Sequence, residues 1–179
     1  MQATALVDTA ISAPGPAVIH FHTGLLTPSV DLKPLDPNYK LLDKAGLVKV
    51  GKSKGRQTPV TLTSEGEKQL QTIAGLRRNR EKDGTETFVV PIAQRRLVEI
   101  AKIKINNPTH AVVEFTWQWE PNRLGEAFDA SGTLVKSFNN WDRATLIQKY
   151  SANFYHGEPT KAVLALVKTD KGWQIGEEY

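Results

Sequence analysis

The stretch from Phe88 to Gly125, FVVPIAQRRLVEIAKIKINNPTHAVVEFTWQWEPNRLG, limits what this chain can fold into more than any other. In its second half Val113, Phe115, Trp117 and Trp119 alternate with Glu114, Thr116, Gln118 and Glu120. A period of two sets the first group on one side of a strand and the second on the other, whereas a helix would scatter both. The pattern predicts a strand with one buried face. Asn106-Asn107-Pro108-Thr109 supplies a turn, Asn by bonding its own backbone and Pro by fixing φ, so the stretch reads as two long antiparallel strands. Pairing Ile105 with His110 sets Ile100 opposite Phe115 and Val98 opposite Trp117, which brings the apolar side chains of both strands to one side. Pro121 and Gly125 are expected to end the second strand or to mark a bulge.

Ala162 to Val167 reads as another strand, and Asp170-Lys171-Gly172 turns it into Trp173-Gln174-Ile175 as a terminal hairpin. Between the hairpins, TLVKSF is a strand candidate, and a short helix is expected from Trp141, capped by Asn139 or Asn140 and followed by extended chain. Residues 84–179 are therefore expected to form an antiparallel sheet domain, cystatin-like or similarly curved. No cysteine is present, which removes disulfides, thiolate nucleophiles and cysteine-bound zinc together. With 40% hydrophobic and 23% charged residues the chain has the makings of an ordinary packed core.

The upstream part differs in character. Five prolines fall within residues 1–37, which read as a flexible leader with one short strand at Val18 to His22. Residues 38–83 follow as a small helix-hairpin-helix subdomain. Its first helix is expected over Tyr39 to Ala45, with Gly46 as a left-handed C-cap. LVKV and PVTLT make two short strands around the basic turn GKSKGRQT, and Ser64 with Glu67 makes a capping box for a helix reaching about Leu76. Arg77 to Gly84 is a charged connection and the expected hinge. The whole chain is thus expected to be α+β.

Charge is concentrated in the same subdomain. The chain carries +4 overall, yet Lys40 to Asp83 holds 11 basic against 5 acidic residues, while the remainder holds 12 against 14. Affinity for a polyanion would belong to that segment, through Lys49, Lys52, Lys54, Arg56, Arg77, Arg78 and Arg80. No aromatic residue is interleaved with these cations in the manner of single-strand binders.

The order helix-AGLV, basic turn, LTSEG resembles the latter part of winged-helix regulators of the MarR and PadR kind, over residues 39–76. That resemblance implies a wing at Lys49 to Thr58 with Lys52, Lys54 and Arg56 near its tip. In that family two helices precede this part, the second reading the major groove, and the Pro-rich residues here do not supply them. The chain is also similar to uncharacterised bacterial extracytoplasmic proteins and lipoproteins that join an AGL-hairpin-LT segment to strands ending in a Gly-Trp hairpin, here TDKGW. This second resemblance implies an exported protein and brings no activity.

The search for chemistry yields little. His-Glu-x-x-His and phosphate-loop patterns are absent; Gly51-Lys52-Ser53-Lys54-Gly55 has the letters of Gly-x-Ser-x-Gly but lies in the expected basic hairpin turn and not at a strand-to-helix elbow, and its Gly-Lys-Ser tripeptide lacks the preceding glycine of a P-loop. His20 and His22 lie two apart on the expected strand, but two imidazoles do not define a metal site. Glu99, Glu114 and Glu120 form an acidic row on the polar face of the hairpin. Among the aromatics, Trp119, Trp141 and Tyr155 are the candidates to line a cleft for a protein or a small apolar ligand, the rest being assigned to the core. The expectation is a non-enzymatic binding or structural domain without a cofactor or metal, with nucleic-acid binding through the basic wing as the alternative. No apolar run is long enough to cross a bilayer as a helix. MQATALVDTAISAPGPAV has no basic n-region and is not itself a signal peptide. It reads either as an intrinsic start or as the linker of a periplasmic or secreted chain after signal removal.

Overall fold

A computed structural model describes residues 2–29, 33–150 and 159–176. In chain order the elements are α1 (Ala3–Ser12), β1 (Ala17–Leu26), α2 (Pro37–Lys44), β2 (Val48–Val50), β3 (Thr58–Leu62), α3 (Ser64–Gln71) and β4 (Arg77–Arg80). They continue with β5 (Glu86–Asn107), β6 (His110–Pro121), α4 (Arg123–Ala127), α5 (Thr133–Lys136), α6 (Asn140–Lys149), β7 (Thr160–Thr169) and β8 (Gly172–Ile175). The fold is α+β with a mostly antiparallel, open sheet hydrogen-bonded in the order β2-β3-β1-β5-β6-β7-β8, β4 also pairing with β5. The chain divides into two compact units, one of residues 1–16, 94–120 and 156–179, the other of residues 17–93 and 121–155.

In the first unit, Ala3, Val7 and Ile11 recur at helical spacing and give α1 one apolar stripe. That stripe buries against Ala111, Val113 and Phe115 of β6 and Leu164 and Leu166 of β7. Ala3 to Ser12 is thus a helix where a flexible leader was expected, because a four-residue period among small side chains is easily lost beside nearby prolines. The alternation read from β6 holds, with Val113 and Phe115 buried and Glu114 exposed. On β5, Leu97 and Ile100 pack on the core, while Val98 is 42% exposed. Val98 therefore does not join the inward face expected of it, since the inward parity changes between Leu97 and Ile100. The hairpin turn is tightened by Asn107, whose Oδ1 accepts from the Thr109 backbone N–H at 2.9 Å.

In the second unit, β1 pairs with β5 so that Ile19 and Phe21 lie opposite Val90 and Phe88 on a buried face. The Phe21 and Phe88 rings stack at 4.7 Å. β3 pairs with both β1 and β2. The chain from α2 to α3 keeps the expected order of helix, strand, basic loop, strand, helix. Gly46, at φ +79, ends α2 as expected, with Leu47 N–H donating to Leu42 C=O and Gly46 N–H to Asp43 C=O.

Several boundaries differ from expectation. Thr63, not Ser64, caps α3, its Oγ1 accepting from the Gly66 N–H at 2.8 Å and donating to Gly46 C=O at 2.5 Å. Glu67 turns outward to Arg78 instead of closing a capping box. Arg77 to Arg80 is a strand and no hinge, because Arg78 lies 5.0 Å over the Phe88 ring and bridges Glu67 and Glu86 at 2.8 and 2.6 Å. Gly125 is no bulge: it sits in α4, its N–H bonded to the cap Asn122. Thr133 to Lys136, expected as strand, is the short helix α5, and Asn139 caps α6 through the Asp142 N–H.

Candidate functional site

The second unit contains a cavity of about 210 Å³ whose walls come from β1, α2, Phe128 and the end of α6. On β1, Ile19, His20 and His22 all line the cavity, while Phe21 stacks on Phe88 in the core. The apolar lining is Ile19, Leu42 and Phe128, with the rings of Tyr39 and Tyr150. Lys33 and Lys149 are the formally charged side chains that line it.

Its polar groups are held by specific bonds. The Tyr39 hydroxyl accepts the His22 backbone N–H at 3.0 Å, which fixes the phenol against β1. Burial pushes the Tyr39 pKa up to about 12, so the phenol stays protonated at neutral pH. Tyr150 donates its hydroxyl to the Asp36 carboxylate, which Lys149 also approaches at 3.7 Å. Burial raises the Tyr150 pKa, and the Asp36 bond adds to it. Burial lowers the His22 pKa, with Glu81 and Asp83 pulling the other way, so its imidazole is neutral at pH 7. Its Nδ1 lies 3.3 Å from Thr87 Oγ1.

Asn38 is the exception to this satisfaction. It is 5% exposed, it lines the cavity, and its buried Oδ1 has no hydrogen-bond partner among the described residues. The sequence analysis did not single out Asn38, Tyr39 or Tyr150 for a site; Pro37-Asn38 pointed only to a helix start.

The residues expected to bind polyanions divide into two sets. Arg78 and Arg80 are held by Glu86, and Arg78 by Glu67 as well. Lys49, Lys52, Lys54, Arg56 and Arg77 are exposed and have no ion pair among the described residues. The described aromatic candidates fall in different units. Trp119 belongs to the first unit, edge-on to Trp117 at 5.4 Å with the Arg95 guanidinium 4.7 Å over its ring. Trp141 belongs to the second and is 86% exposed in the first turn of α6. Tyr155 lies outside the described residues. In the acidic row Glu120 pairs with Arg96 at 3.4 Å, and Glu99 and Glu114 are exposed. His20 and His22 come together at the cavity, but no group of three or more metal-ligating His, Cys, Asp or Glu residues forms among the described residues.

Fold and site together define an α+β protein with an open, mostly antiparallel sheet and a metabolite-sized cavity lined by phenol, imidazole and amide groups. No protein-family model, curated protein or solved structure matches the chain. No helix among the described residues is long and apolar enough to cross a membrane.

Proposed function

We propose that this chain is a non-enzymatic binding domain whose ligand site is the cavity between β1 and α2. The observation that carries the reading is a cavity of about 210 Å³ whose phenol hydroxyls are fixed in place, Tyr39 by the His22 backbone N–H and Tyr150 by Asp36. Two phenols that stay protonated suit hydrogen-bond recognition better than proton transfer near pH 7, because general acids and bases work best with a pKa close to the working pH. The volume is below the roughly 300–1,000 Å³ of pockets that hold drug-sized ligands, which favours a small metabolite over a peptide. The test is a nuclear magnetic resonance titration with neutral, cationic and anionic metabolite-sized compounds, following the His22 and Tyr39 ring signals. Shifts confined to cavity residues are expected, and a panel that moves none of them sinks the reading.

The architecture supports the finer fold reading as well: a helix laid on an antiparallel sheet in the first unit suits a cystatin-like arrangement, and the order from α2 to α3 suits a winged-helix-like one. The likeness of AGLV, LTSEG and TDKGW to exported bacterial proteins supports an extracytoplasmic setting. A second function keeps one specific observation in its favour. The β2-β3 loop presents Lys52, Lys54 and Arg56 without carboxylate partners among the described residues, the arrangement a phosphate-contacting wing requires.

A further inference from the structure

The strand β5 outruns its neighbours. On one edge it pairs with β1, but that ladder ends where Ala17 lies opposite Ala93. On the other edge it takes β4 over Glu86 to Val89 and, further on, β6, which the strand order sets across from β1. From Gln94 to Asn107, therefore, β5 has β6 on one side and, among the described residues, no strand on the other. Residues 101–107 are all exposed, so the free edge is open to solvent. Such an edge presents a row of backbone N–H and C=O groups with which another extended chain can pair. Its side chains decide which chain. Alternation sets Lys102 and Lys104 on the side of Ile100, and Ile103 and Ile105 on the opposite side. The two isoleucines are 44% and 62% exposed, and neither lysine has an ion pair among the described residues. A second copy of the chain is a poor occupant. Antiparallel self-pairing centred on Lys102, Ile103 or Lys104 sets lysine opposite lysine, and like charges directly opposite destabilise a ladder. Carboxylates at the facing positions would turn the same lysines into cross-strand ion pairs.

We propose that the open edge of β5, over residues 97–107, binds an extended acidic polypeptide segment in which carboxylate and branched apolar residues alternate. Its main chain continues the sheet, its carboxylates meet Lys102 and Lys104, and its apolar side chains meet Ile103 and Ile105. Main-chain pairing supplies affinity, and the alternation of the two faces selects the sequence. A segment with its acids and its apolar residues in separate blocks cannot satisfy both faces at once. The inference is independent of the cavity, which belongs to the other unit.

The probe is a capped octapeptide of alternating glutamate and valine, added to the full chain while the backbone amide signals of residues 94–107 are followed by nuclear magnetic resonance. Three peptides stand beside it. One alternates lysine and valine, which inverts the charge; one places all its glutamates before all its valines, which keeps the composition and loses the alternation. The third is the first peptide N-methylated at its central amides, which keeps the side chains and removes main-chain donors. The expected result is a Kd of about 100 μM for the first peptide, with each of the others weaker by about tenfold, and slowed hydrogen exchange within residues 97–107. The double variant Lys102→Glu, Lys104→Glu, at exposed positions, should prefer the lysine peptide over the glutamate one while signals elsewhere stay in place. Equal binding of the block or the N-methylated peptide overturns strand pairing at this edge. An unchanged preference in the double variant overturns the acidic partner. Signals of residues 97–107 that move with protein concentration alone put a second copy on the edge and overturn the inference, as does a first peptide that moves none of them at millimolar concentration.

Discussion

Asn38 carries a local cost. An unsatisfied buried carbonyl costs about 1–3 kcal/mol, and replacing it with an apolar group of similar shape removes that cost. Asn38→Leu is therefore expected to raise the stability of the chain by about 1 kcal/mol in chemical denaturation. A loss of stability instead would mean the amide is satisfied in solution. The titrating groups around it give pH windows of opposite sign. His22 has its folded pKa lowered by burial, so the unfolded chain binds more protons below the ordinary value of about 6.5, and stability falls as pH drops through that region. Tyr39 has its folded pKa raised to about 12, so the unfolded phenol ionises first and the stability it confers, complete below about pH 10, drains away between about 10 and 12. His22→Phe should flatten the acid limb and Tyr39→Phe the alkaline one, each read from thermal midpoints across pH. A limb unchanged in its variant would assign it to another group.

At the scale of elements one device is used twice. Thr63 caps α3 and Gly66 brings the helix so close to the preceding loop that a Cβ would stand 2.1 Å from the Leu47 carbonyl oxygen. Asn122 caps α4 in the same way, and a Cβ on Gly125 would stand 1.9 Å from the Ile92 carbonyl oxygen. Gly66→Ala and Gly125→Ala are each expected to cost about 2–3 kcal/mol, since backbone on both sides must give way. Thr63→Ala should cost about 1 kcal/mol through the lost cap, and Ser64→Ala less than about 0.5, an order that denaturation midpoints decide. The AGLV and LTSEG segments that suggest a winged helix are thus explained by mutual packing: Gly46 turns the chain, Leu47 is buried, and Thr63 and Gly66 close on it. Gly46 was legible as a C-cap because turn chemistry is local, whereas the cap of α3 was expected one residue on, at Ser64. The strand β4 was not legible, because RRNR has no alternation and owes its place to the side chains of Phe88, Glu67 and Glu86 on neighbouring elements, eight to eleven residues from Arg78. The helix α1 failed for a related reason: its stripe of alanine, valine and isoleucine gains meaning only against β6 and β7.

Over the whole molecule, β5 runs from one compact unit into the other, so the long hairpin read from the sequence is the element both units share. The α+β class followed from its alternation together with the capped helices. The cavity did not follow, because Asn38, Tyr39 and Tyr150 meet His20 and His22 only after β1 and two helices are in place. Charge distribution is the whole-chain property that was plain from the start, and the structure sharpens what it can do. Of the seven basic candidates, Arg78 and Arg80 serve Glu67 and Glu86, which leaves five for an outside polyanion. Each phosphate neutralised on a duplex contributes about 0.9 to the slope of log affinity against log salt, so the limit here is a slope of about −4 to −5. A wing alone, using Lys52, Lys54 and Arg56, would give about −3. Changing those three to Glu should then abolish duplex binding at low salt, whereas Arg78→Gln should leave the slope unchanged and lower stability through its lost ion pairs. Fluorescence anisotropy with a labelled duplex across salt concentrations reads both. A chain that shows no binding at the lowest salt sinks the polyanion reading, and a slope that drops with Arg78→Gln means that this arginine leaves Glu67 and Glu86 for phosphate.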